Sequence, residues 1–544
     1  MFSTMQDFPL TITSILRYGT AIHRDRLVLT ATEDGGFHQK SYGEFAARVA
    51  QLANGLRRLG VRPGDRVATF MWNNQEHLEA YFAVPCMGAV LHTLNIRLSD
   101  DQIEFIAYDA GDRVVIVDMS LAEQLAAILP RMETVRTVVA VGDGDVGVLG
   151  ATGKDVIRYG DLIGGEPGTF NWPVLDERSA AAMCYTSGTT GHPKGVLYGH
   201  RSTYLHSMAV CSTNGLTLTE GDRALPVVPM FHANGWGIPY AALIAGADLV
   251  LPDRFLAAHR LVDMIETARP SFAAAVPTIW NDVLHCLEAN PSRDISSLRL
   301  IVCGGSAVPE SLMRTYQDKF GVTLMQLWGM TETSPVAAVA RPVKGVSAEQ
   351  DWRMRATAGR PLFGVEMRIV DDNGNVLPSD GKSIGELEVR GPWISGAYHQ
   401  DRDAGKFADG WLRTGDVGAI DRLGYVTLSD RAKDVIKSGG EWISSVELEN
   451  HIMSHPAVVE AAVVGVPDER WQERPLVAVV VRQDADVSAA ELRHYLRDKV
   501  VRWWVPERWT FIDEVPRTSV GKFDKKVIRS RYADDGYEVV ECRE

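Results

Sequence analysis

A stretch rich in glycine and hydroxyl side chains, placed directly after a short apolar run, constrains the fold more than any other feature. Residues 185–196 read YTSGTTGHPKGV, and the run before them is Ala180 to Cys184. The pattern predicts a buried strand that enters an irregular loop, because closely spaced Gly and Pro continue neither helix nor strand. Glycines let a ligand approach the backbone, and hydroxyls with a lysine offer donors to phosphate oxygens. The stretch therefore predicts a cradle for nucleotide phosphates.

The spacing of this stretch differs from that of the P-loop, G-x-x-x-x-G-K-[ST], because Lys194 is followed by Gly195. A flexible surface loop is the alternative, and the Pro-Lys-Gly ending and the preceding strand argue against it. The string resembles the phosphate-binding signature of the adenylate-forming superfamily, which includes acyl-CoA synthetases, peptide-synthetase adenylation domains and luciferases. The resemblance implies that ATP contacts Thr186, Ser187, Gly188, Thr189, Thr190, Gly191 and Lys194.

Composition excludes several other classes of protein. The chain has 544 residues, 45% of them hydrophobic and 23% charged, which is typical of a soluble protein with more than one domain. A net charge of −14 argues against nucleic-acid binding, so anionic ligands need local positive groups. Six cysteines without metal-ligand spacing predict reduced thiols and a cytoplasmic protein. We find neither a signal peptide nor an apolar run of about 18 residues, which leaves peripheral membrane contact as the open possibility.

Strands and helices alternate along most of the first 300 residues, which predicts parallel sheets covered on both faces. The predicted strands are 65–70, 113–117, 135–141, 223–227, 248–251 and 298–302, and the predicted helices are 41–59, 77–87, 121–129, 200–210, 236–245 and 256–268. A capping box of Ser99 with Gln102 predicts one further helix start. The glycine-rich region 141–168 is expected to separate two α/β subdomains.

The pattern of predicted secondary structure changes twice in the later part of the chain. From Gly359 short strands with turns predict an antiparallel or barrel-like subdomain. From Asp430 the pattern predicts a compact α+β domain, with helix starts at Ser444 and Ser488. The predicted fold class is therefore α/β. A large N-terminal domain (1–429) with two doubly wound subdomains and a small β-barrel-like one precedes a small, mobile α+β C-terminal domain (430–544).

Residues 228–236 read VPMFHANGW, an aromatic-rich run at the end of a predicted strand. Similar strings occur in bacterial medium- and long-chain fatty acyl-CoA synthetases. The resemblance implies that His232 lies near the substrate carboxylate and that Trp236 crosses the acyl tunnel. A core aromatic cluster with a hydrogen-bonded histidine is the alternative.

Two further strings resemble the adenine and metal motifs of the superfamily. CGGSAVP (303–309) implies that Gly304 and Gly305 admit a flat base. LMQLWGMTETSP (324–335) implies that Trp328 stacks on adenine, Thr331 binds a phosphate, and Glu332 binds Mg²⁺ together with the Thr186 hydroxyl. Trp328 replaces the commoner Tyr, which keeps the stacking face and loses the phenol. The same resemblance adds ATP contacts at Gln326, Gly329 and Met330 and acid contacts at Gly305 and Gly329.

The last motifs lie on either side of the predicted domain boundary. WLRTGDV (411–417) resembles the ribose motif and implies that Asp416 accepts from both ribose hydroxyls. In SDRAKDVIKSGGEWISS (429–445) the resemblance implies a hinge at Asp430 and nucleotide contacts from Arg431 and Lys437. Lys522 of PRTSVGK is implied to bridge the substrate carboxylate and the α-phosphate. The segment implied to line the CoA tunnel comprises Ser438, Gly439, Gly440, Glu441 and Trp442.

These motifs together predict an ATP-dependent acyl-CoA synthetase that uses Mg²⁺ and coenzyme A and acts on a medium- or long-chain fatty acid. Its catalytic residues would be Lys522, Arg431, Glu332, Thr186 and His232. Ligation of a short, branched, sulfur-containing or aryl acid remains open. An acyl-AMP ligase that loads a carrier protein, a luciferase-like oxygenase and a non-catalytic binding protein are further alternatives. Similar fatty-acid enzymes often form dimers through the large domain, so a homodimer is expected.

Overall fold

The structure is a computed structural model, and it describes residues 3–186, 193–431, 434, 436–438, 441–468, 470–482, 485–518 and 523–542. Its strands are β1 Leu27–Ala31, β2 Phe37–Ser41, β3 Arg66–Phe70, β4 Val90–Thr93, β5 Asp112–Asp118, β6 Thr137–Val141, β7 Asp155–Arg158, β8 Ala180–Tyr185, β9 Gly195–Gly199, β10 Arg223–Pro226, β11 Asp248–Leu251, β12 Phe272–Ala275, β13 Leu300–Cys303, β14 Thr323–Gly329, β15 Val336–Val339, β16 Arg360–Pro361, β17 Glu366–Val370, β18 Gly385–Arg390, β19 Phe407–Ala408, β20 Trp411–Ile420, β21 Val426–Arg431, β22 Ile436–Ser438, β23 Glu441–Ile443, β24 Val458–Asp468, β25 Gln472–Val481, β26 Arg508–Phe511 and β27 Val540–Glu541. Its helices are α1 Ile12–Ile22, α2 Tyr42–Arg58, α3 Gln75–Cys86, α4 Asp100–Ala110, α5 Ala122–Ile128, α6 Gly147–Gly150, α7 Tyr159–Ile163, α8 His200–Cys211, α9 Ile238–Ala245, α10 Ala258–Ala268, α11 Pro277–Ala289, α12 Glu310–Phe320, α13 Ala348–Arg355, α14 Ser445–Met453, α15 Ala489–Arg497 and α16 Lys525–Ala533.

The first sheet has the order β7-β6-β5-β3-β4-β8-β9 and is parallel except for the hairpin of β8 with β9. Its inner strands are rich in Val, Ile and Ala and are buried on both faces, as expected of a parallel sheet covered by helices. The prediction that residues 141–168 form a break between subdomains is wrong. Within that region β7 pairs with β6, Thr137 opposite Asp155, so the region completes the first sheet.

The second sheet has the order β16-β15-β14-β13-β12-β10-β11-β1-β2. Its central strands are parallel, and the ends are closed by the antiparallel partners β2, β15 and β16. Strand β1, from the N-terminal part of the chain, pairs in parallel with β11 from more than 200 residues later. The N-terminal hairpin therefore belongs to the second subdomain, although α2, the helix that follows it, packs against α3 and α7 of the first subdomain.

The third and fourth sheets carry the later part of the chain. Strands β17 to β21 form a five-stranded antiparallel sheet around the long strand β20. In the fourth sheet β24 and β25 form a long hairpin, and apolar clusters cover both of its faces. The predicted helix starts are confirmed, because Ser444 Oγ accepts from Glu447 N at 3.1 Å and Ser488 Oγ accepts from Glu491 N at 3.3 Å. The predicted fold class, α/β with a smaller C-terminal domain that contains a sheet, is confirmed.

Candidate active site

The carboxyl ends of the two parallel sheets meet at one amide side chain. Asn73, just after β3, donates from Nδ2 to the carbonyl oxygens of Pro226 and Val228, each at 2.9 Å. Its Oδ1 accepts from Met230 N at 2.7 Å. Ligands of open α/β sheets bind in the crevice beyond the carboxyl ends of the strands. The predicted motifs after β8, β10, β13 and β14 all begin at this edge.

The phosphate stretch begins as a hairpin whose neck is held by reciprocal hydrogen bonds. Thr186 N donates to Lys194 O at 2.9 Å, and Lys194 N donates to Thr186 Oγ1 at 3.1 Å. Gly195 makes this neck narrow, because a Cβ there would lie 2.5 Å from Met183 Cε and 3.1 Å from His399 Cβ. The predicted contacts Ser187, Gly188, Thr189, Thr190 and Gly191 lie outside the described residues.

Two side chains that the motifs did not indicate contact the predicted phosphate and metal residues. Lys194 Nζ forms an ion pair with Asp403 and lies 5.2 Å from the centre of the Tyr398 ring. The hydroxyl of Tyr398 donates to Oε1 of Glu332. Burial, followed by the nearby Glu332 carboxylate, raises the pKa of Tyr398 well above its ordinary value, so its hydroxyl stays protonated. These contacts join residues about 66 to 209 positions apart, and no local sequence pattern could have found them.

Glu332 lies in a short 3₁₀ turn, Thr331–Thr333, and is almost fully buried. Ser395 N donates to the main-chain oxygen of Glu332 at 2.7 Å, and the Tyr198 hydroxyl donates to that of Thr331 at 2.7 Å. Met330 N donates to Thr333 Oγ1 at 2.9 Å, which closes the start of the turn. The turn therefore holds one buried carboxylate at a fixed place beside the phosphate hairpin.

The donor set of this region fits Mg²⁺, which prefers hard oxygen ligands and keeps several waters and phosphate oxygens. Glu332 offers a carboxylate and Thr186 a hydroxyl. Among the described residues no group of three or more His, Cys, Asp or Glu is arranged to hold a metal. One carboxylate with one hydroxyl suits a cation that is carried largely by the phosphates.

A hydrogen bond links the predicted adenine and ribose residues across two subdomains. Trp328 Nε1, on β14, donates to Asp416 Oδ2, on β20, at 2.8 Å, and both side chains are buried. Replacement of the commoner Tyr by Trp was expected to remove the phenol as a hydrogen-bonding group. The indole N–H of Trp328 supplies a donor in its place. Asp416 also pairs in register with Arg431 of β21.

We expect Trp328→Phe to weaken ATP binding by at least about tenfold, because a hydrogen bond to a charged group is worth about 1.5–3 kcal/mol and without it Asp416, the predicted ribose acceptor, is no longer held in place. The turnover number should change far less, since the phenyl ring keeps a stacking face. KM for ATP and kcat, measured at saturating acid and CoA, test this. Trp509→Phe, which removes an indole whose Nε1 donates to Pro506 O in the fourth sheet, is the matched control. A fall in kcat with unchanged KM would contradict the assignment.

The other predicted adenine residues have mixed surroundings. Gln326 Oε1 accepts from Val308 N at 2.7 Å and its Nε2 donates to Thr357 O at 2.9 Å, so both ends of the amide bind backbone. Gly305 adopts φ +90°, which favours glycine. A Cβ on Gly304 would lie 3.2 Å from Leu327 O. The ATP contacts assigned to these residues stay predictions.

The acyl motif contains a left-handed turn. Every residue of Ala233–Gly237 has positive φ, from 43° to 73°, and the predicted start of a helix at Trp236 is wrong because α9 begins at Ile238. A non-glycine residue in this region costs about 1–3 kcal/mol and persists where its surroundings impose it. Asn234 Oδ1 accepts from Cys184 Sγ at 3.0 Å, which is one such constraint.

The turn places its two predicted substrate residues differently. Trp236 is buried, and its ring lies 3.4 Å from where a Cβ on Gly304 would be. His232 is only partly buried and stands immediately before the turn. The structure therefore brings Trp236 to the end of β13, where the predicted adenine loop begins.

Many of the residues predicted to bind CoA or to act in acyl transfer lie outside the described part of the chain. Gly439, Gly440 and Lys522 are not among the described residues, and neither are the side chains of Asp430, Arg431, Lys437, Glu441 and Trp442. Ser438 is fully buried, and its Oγ accepts from Arg474 Nη1 at 3.3 Å. Roles assigned to this part of the chain stay predictions.

Comparison with known families identifies the chain. The AMP-binding enzyme family matches residues 19–399, and the AMP-binding enzyme C-terminal domain matches residues 447–522. The chain belongs to the AMP-binding enzyme family. The 3-methylmercaptopropionyl-CoA ligase of Ruegeria lacuscaerulensis is 41% identical over 98% of this chain and 99% of its own length. The medium-chain-fatty-acid–CoA ligase of Ectopseudomonas oleovorans is 41% identical over 98% of both chains. The long-chain-fatty-acid–CoA ligase of Thermus thermophilus is 42% identical over 97% of both chains.

A solved structure of the family agrees with the fold. The anthranilate CoA ligase in complex with anthranoyl-AMP has a TM-score of 0.87 and 26% identity, covering 98% of this chain and 100% of that one. The predicted superfamily and the predicted class of AMP-forming acid–CoA ligase are confirmed, because such ligases match this AMP-binding chain over nearly its full length. ATP, Mg²⁺ and CoA are the cofactors of such ligases, as predicted. Within the described residues no helix has both the length and the apolar character needed to cross a bilayer.

Proposed function

We propose that this AMP-binding enzyme joins a medium- or long-chain fatty acid to coenzyme A, with cleavage of ATP to AMP and pyrophosphate through an acyl-adenylate. The observation that carries the proposal is the meeting of three separate motifs at one sheet edge. Lys194 and Glu332 are linked through Tyr398, and Trp328 binds Asp416. A nucleoside triphosphate needs a cation and a buried carboxylate near its phosphates. It also needs a flat ring against its base and a hydrogen-bond acceptor beside its ribose.

In the first step the acid carboxylate attacks the α-phosphorus of ATP, a bond to that phosphorus forms, and the bond to pyrophosphate breaks. Two anions must approach while negative charge grows on the transferring phosphoryl and the leaving group, so preplaced positive charge lowers the barrier. Lys194 stands at the neck of the phosphate hairpin, and Arg431 and Lys522 are proposed to supply the rest. Mg²⁺, when bound by Glu332 and Thr186, would add charge next to the phosphates.

In the second step the CoA sulfur attacks the acyl carbon, and AMP leaves with the electron pair of the broken C–O bond. A covalent acyl-enzyme is not required, because the adenylate is already activated. Cys184, the cysteine nearest the phosphate hairpin, does not suit nucleophilic attack. Burial raises its pKa to about 11, and its thiol donates to Asn234.

A second candidate substrate is a short sulfur-containing acid. It is favoured by the 41% identity to the 3-methylmercaptopropionyl-CoA ligase of Ruegeria lacuscaerulensis, which equals the identity to the medium-chain enzyme. In our proposal Trp236 crosses the acyl tunnel. With the indole in its present position the tunnel would hold a short acid, and the ring would have to rotate away to admit a long one. The length of the acyl chain that the enzyme accepts therefore depends on how far this buried ring can move.

The test is CoA-dependent release of AMP and pyrophosphate from ATP across acids from acetate to palmitate, with benzoate and 3-methylmercaptopropionate added. A maximum at one fatty-acid length supports the proposal, and a maximum at the sulfur-containing acid selects the second candidate. Pyrophosphate release without thioester would indicate an acyl-AMP ligase, and light emission or O₂ consumption an oxygenase. Saturable ATP or acid binding without pyrophosphate release would indicate a binding protein.

We further propose that residues 430–544 rotate at Asp430 between the two steps, because Lys522 and the CoA segment lie in the same small domain. Asp430 pairs with Val417 near the end of β21, so rotation there would open only the end of a strand. Asp430→Pro, which fixes φ and removes a backbone donor, should lower thioester formation about tenfold more than adenylation. Asp430→Ala is the control that leaves the backbone free. Equal loss of both half-reactions, measured separately by rapid quench, would rule out this hinge.

Location and assembly are proposed from the surface and the thiols. All six cysteines fall within the described residues and are unpaired, which supports a reducing, cytoplasmic setting. Met5, Phe8 and Ile22 are exposed apolar side chains in the N-terminal segment, which supports a homodimer contact or peripheral membrane contact. Light scattering and vesicle sedimentation separate these two.

A further inference from the structure

The segment between β18 and β19 contacts Glu332 through both its main chain and one side chain. Ser395 N donates to Glu332 O at 2.7 Å, and three residues later the Tyr398 hydroxyl donates to Glu332 Oε1. Both Tyr398 and Glu332 are 4% exposed, so the hydrogen bond does not compete with bulk water. The carboxylate is therefore fixed in direction as well as in place.

The Tyr398 ring is held independently of its hydroxyl. It packs edge-on against Phe407 with ring centres 5.1 Å apart, and its face meets Lys194 Nζ at 5.2 Å from the ring centre. Lys194 is in turn paired with Asp403 of the same segment. Removal of the hydroxyl alone would thus leave these packing and cation–π contacts in place and would change only what Glu332 receives.

We propose that Tyr398 is a positioning residue that orients Glu332 for the divalent cation that accompanies ATP. The hydroxyl donates to Oε1 and thereby sets the direction in which the carboxylate would face the cation. Carboxylates that bind metals are commonly held by hydrogen bonds from a second layer of residues, and loss of such a partner typically costs about 10–100-fold in metal affinity. This inference rests on the proposed function, because it assigns the cation of that reaction to Glu332.

The experiment measures nucleotide binding without turnover. Calorimetric titration with α,β-methylene-ATP, which cannot release pyrophosphate, is performed in EDTA and in excess Mg²⁺, and the ratio of the two affinities gives the gain due to the cation. The variants are Tyr398→Phe, Glu332→Gln and their combination. The control is Tyr316→Phe, which removes another buried hydroxyl, one that lies on α12 and donates to Trp280 O at 2.7 Å.

We expect Tyr398→Phe to lose about tenfold of the gain due to Mg²⁺, with the affinity in EDTA within about twofold of wild type. Glu332→Gln should abolish the gain in affinity due to Mg²⁺. The double variant should behave like Glu332→Gln alone, because both substitutions act through one carboxylate. Tyr316→Phe should behave as wild type. An undiminished gain in Tyr398→Phe, or an equal loss with and without Mg²⁺, would overturn the proposal.

Failure of the proposed function gives a different result. A wild-type chain that binds no nucleotide at all, or that forms no acyl-CoA from any acid, would contradict the function itself. A wild-type chain that forms acyl-CoA and shows the gain due to Mg²⁺, with Tyr398→Phe identical to it, would contradict the role of Tyr398 alone.

Discussion

Lys522→Ala is expected to lower the rate of acyl-adenylate formation by about 10²–10³-fold, the usual cost of removing one preorganised charge-assisted contact from a transition state. In our proposal the ammonium group of Lys522 bridges the attacking carboxylate and the α-phosphate, where two anions approach. The chain carries an overall charge of −14, so the general field around the protein does not replace the missing cation. Pyrophosphate release in the absence of CoA measures this half-reaction directly.

The second half-reaction provides the internal control for Lys522→Ala. When the enzyme is supplied with a synthetic acyl-adenylate and CoA, the variant should form thioester at a rate within about threefold of wild type, because in our proposal the lysine acts only in the first transition state. Lys526→Ala, an exposed lysine four residues later on α16, should leave both steps unchanged. Equal loss in both steps would instead place Lys522 in a general structural or binding role.

Gly329→Ala is expected to reduce adenylation by at least about 100-fold, because a displacement of about 1 Å at a catalytic group has effects of that size. A Cβ on Gly329 would lie 1.9 Å from Pro335 O and 2.7 Å from Pro335 C. Both are main-chain atoms, so the clash can be relieved only by moving main chain at the two ends of the turn that carries Glu332. The initial rate of pyrophosphate release gives the size of the effect.

Gly396→Ala is the matched control for Gly329→Ala. Gly396 lies in the segment that holds Glu332, has no neighbour within 4 Å of an added Cβ, and does not require positive φ. It should therefore retain wild-type activity. The thermal midpoint of both variants separates a local shift of the turn from global unfolding, and a fully active Gly329→Ala would show that the turn moves without cost.

Local signals in the sequence predicted many elements closely. The helix predicted over 41–59 is α2, Tyr42–Arg58, and the helix starts at Ser444 and Ser488 are in place, because amphipathic spacing and capping depend on neighbours a few residues away. The pairing of β1 with β11 and the assignment of β7 to the first sheet were not predicted. They depend on contacts between distant parts of the chain, which a single sequence does not display.

The candidate site shows the same division. The order of the motifs predicted that Lys194, Glu332, Trp328 and Asp416 share one site, and the structure places them at one edge of the sheets. Tyr398 was missed because what connects it to the site is a hydrogen bond to Glu332, 66 positions earlier in the chain. The positive φ values at residues 233–237 were missed for a related reason, since tertiary packing imposes them against the local preference of Ala and Trp.

The left-handed turn also limits how the acid preference of this enzyme could be altered by directed evolution. We expect Val, Ile and Thr to be poorly tolerated at residues 233–236, because β-branched residues are genuine outliers at positive φ. Gly, Asn and Asp adopt that conformation more readily, so these substitutions should keep the backbone while changing the side chains that, in our proposal, lie beside the acid. A small, restricted alphabet at these positions should thus yield more altered specificities per clone than full randomisation does.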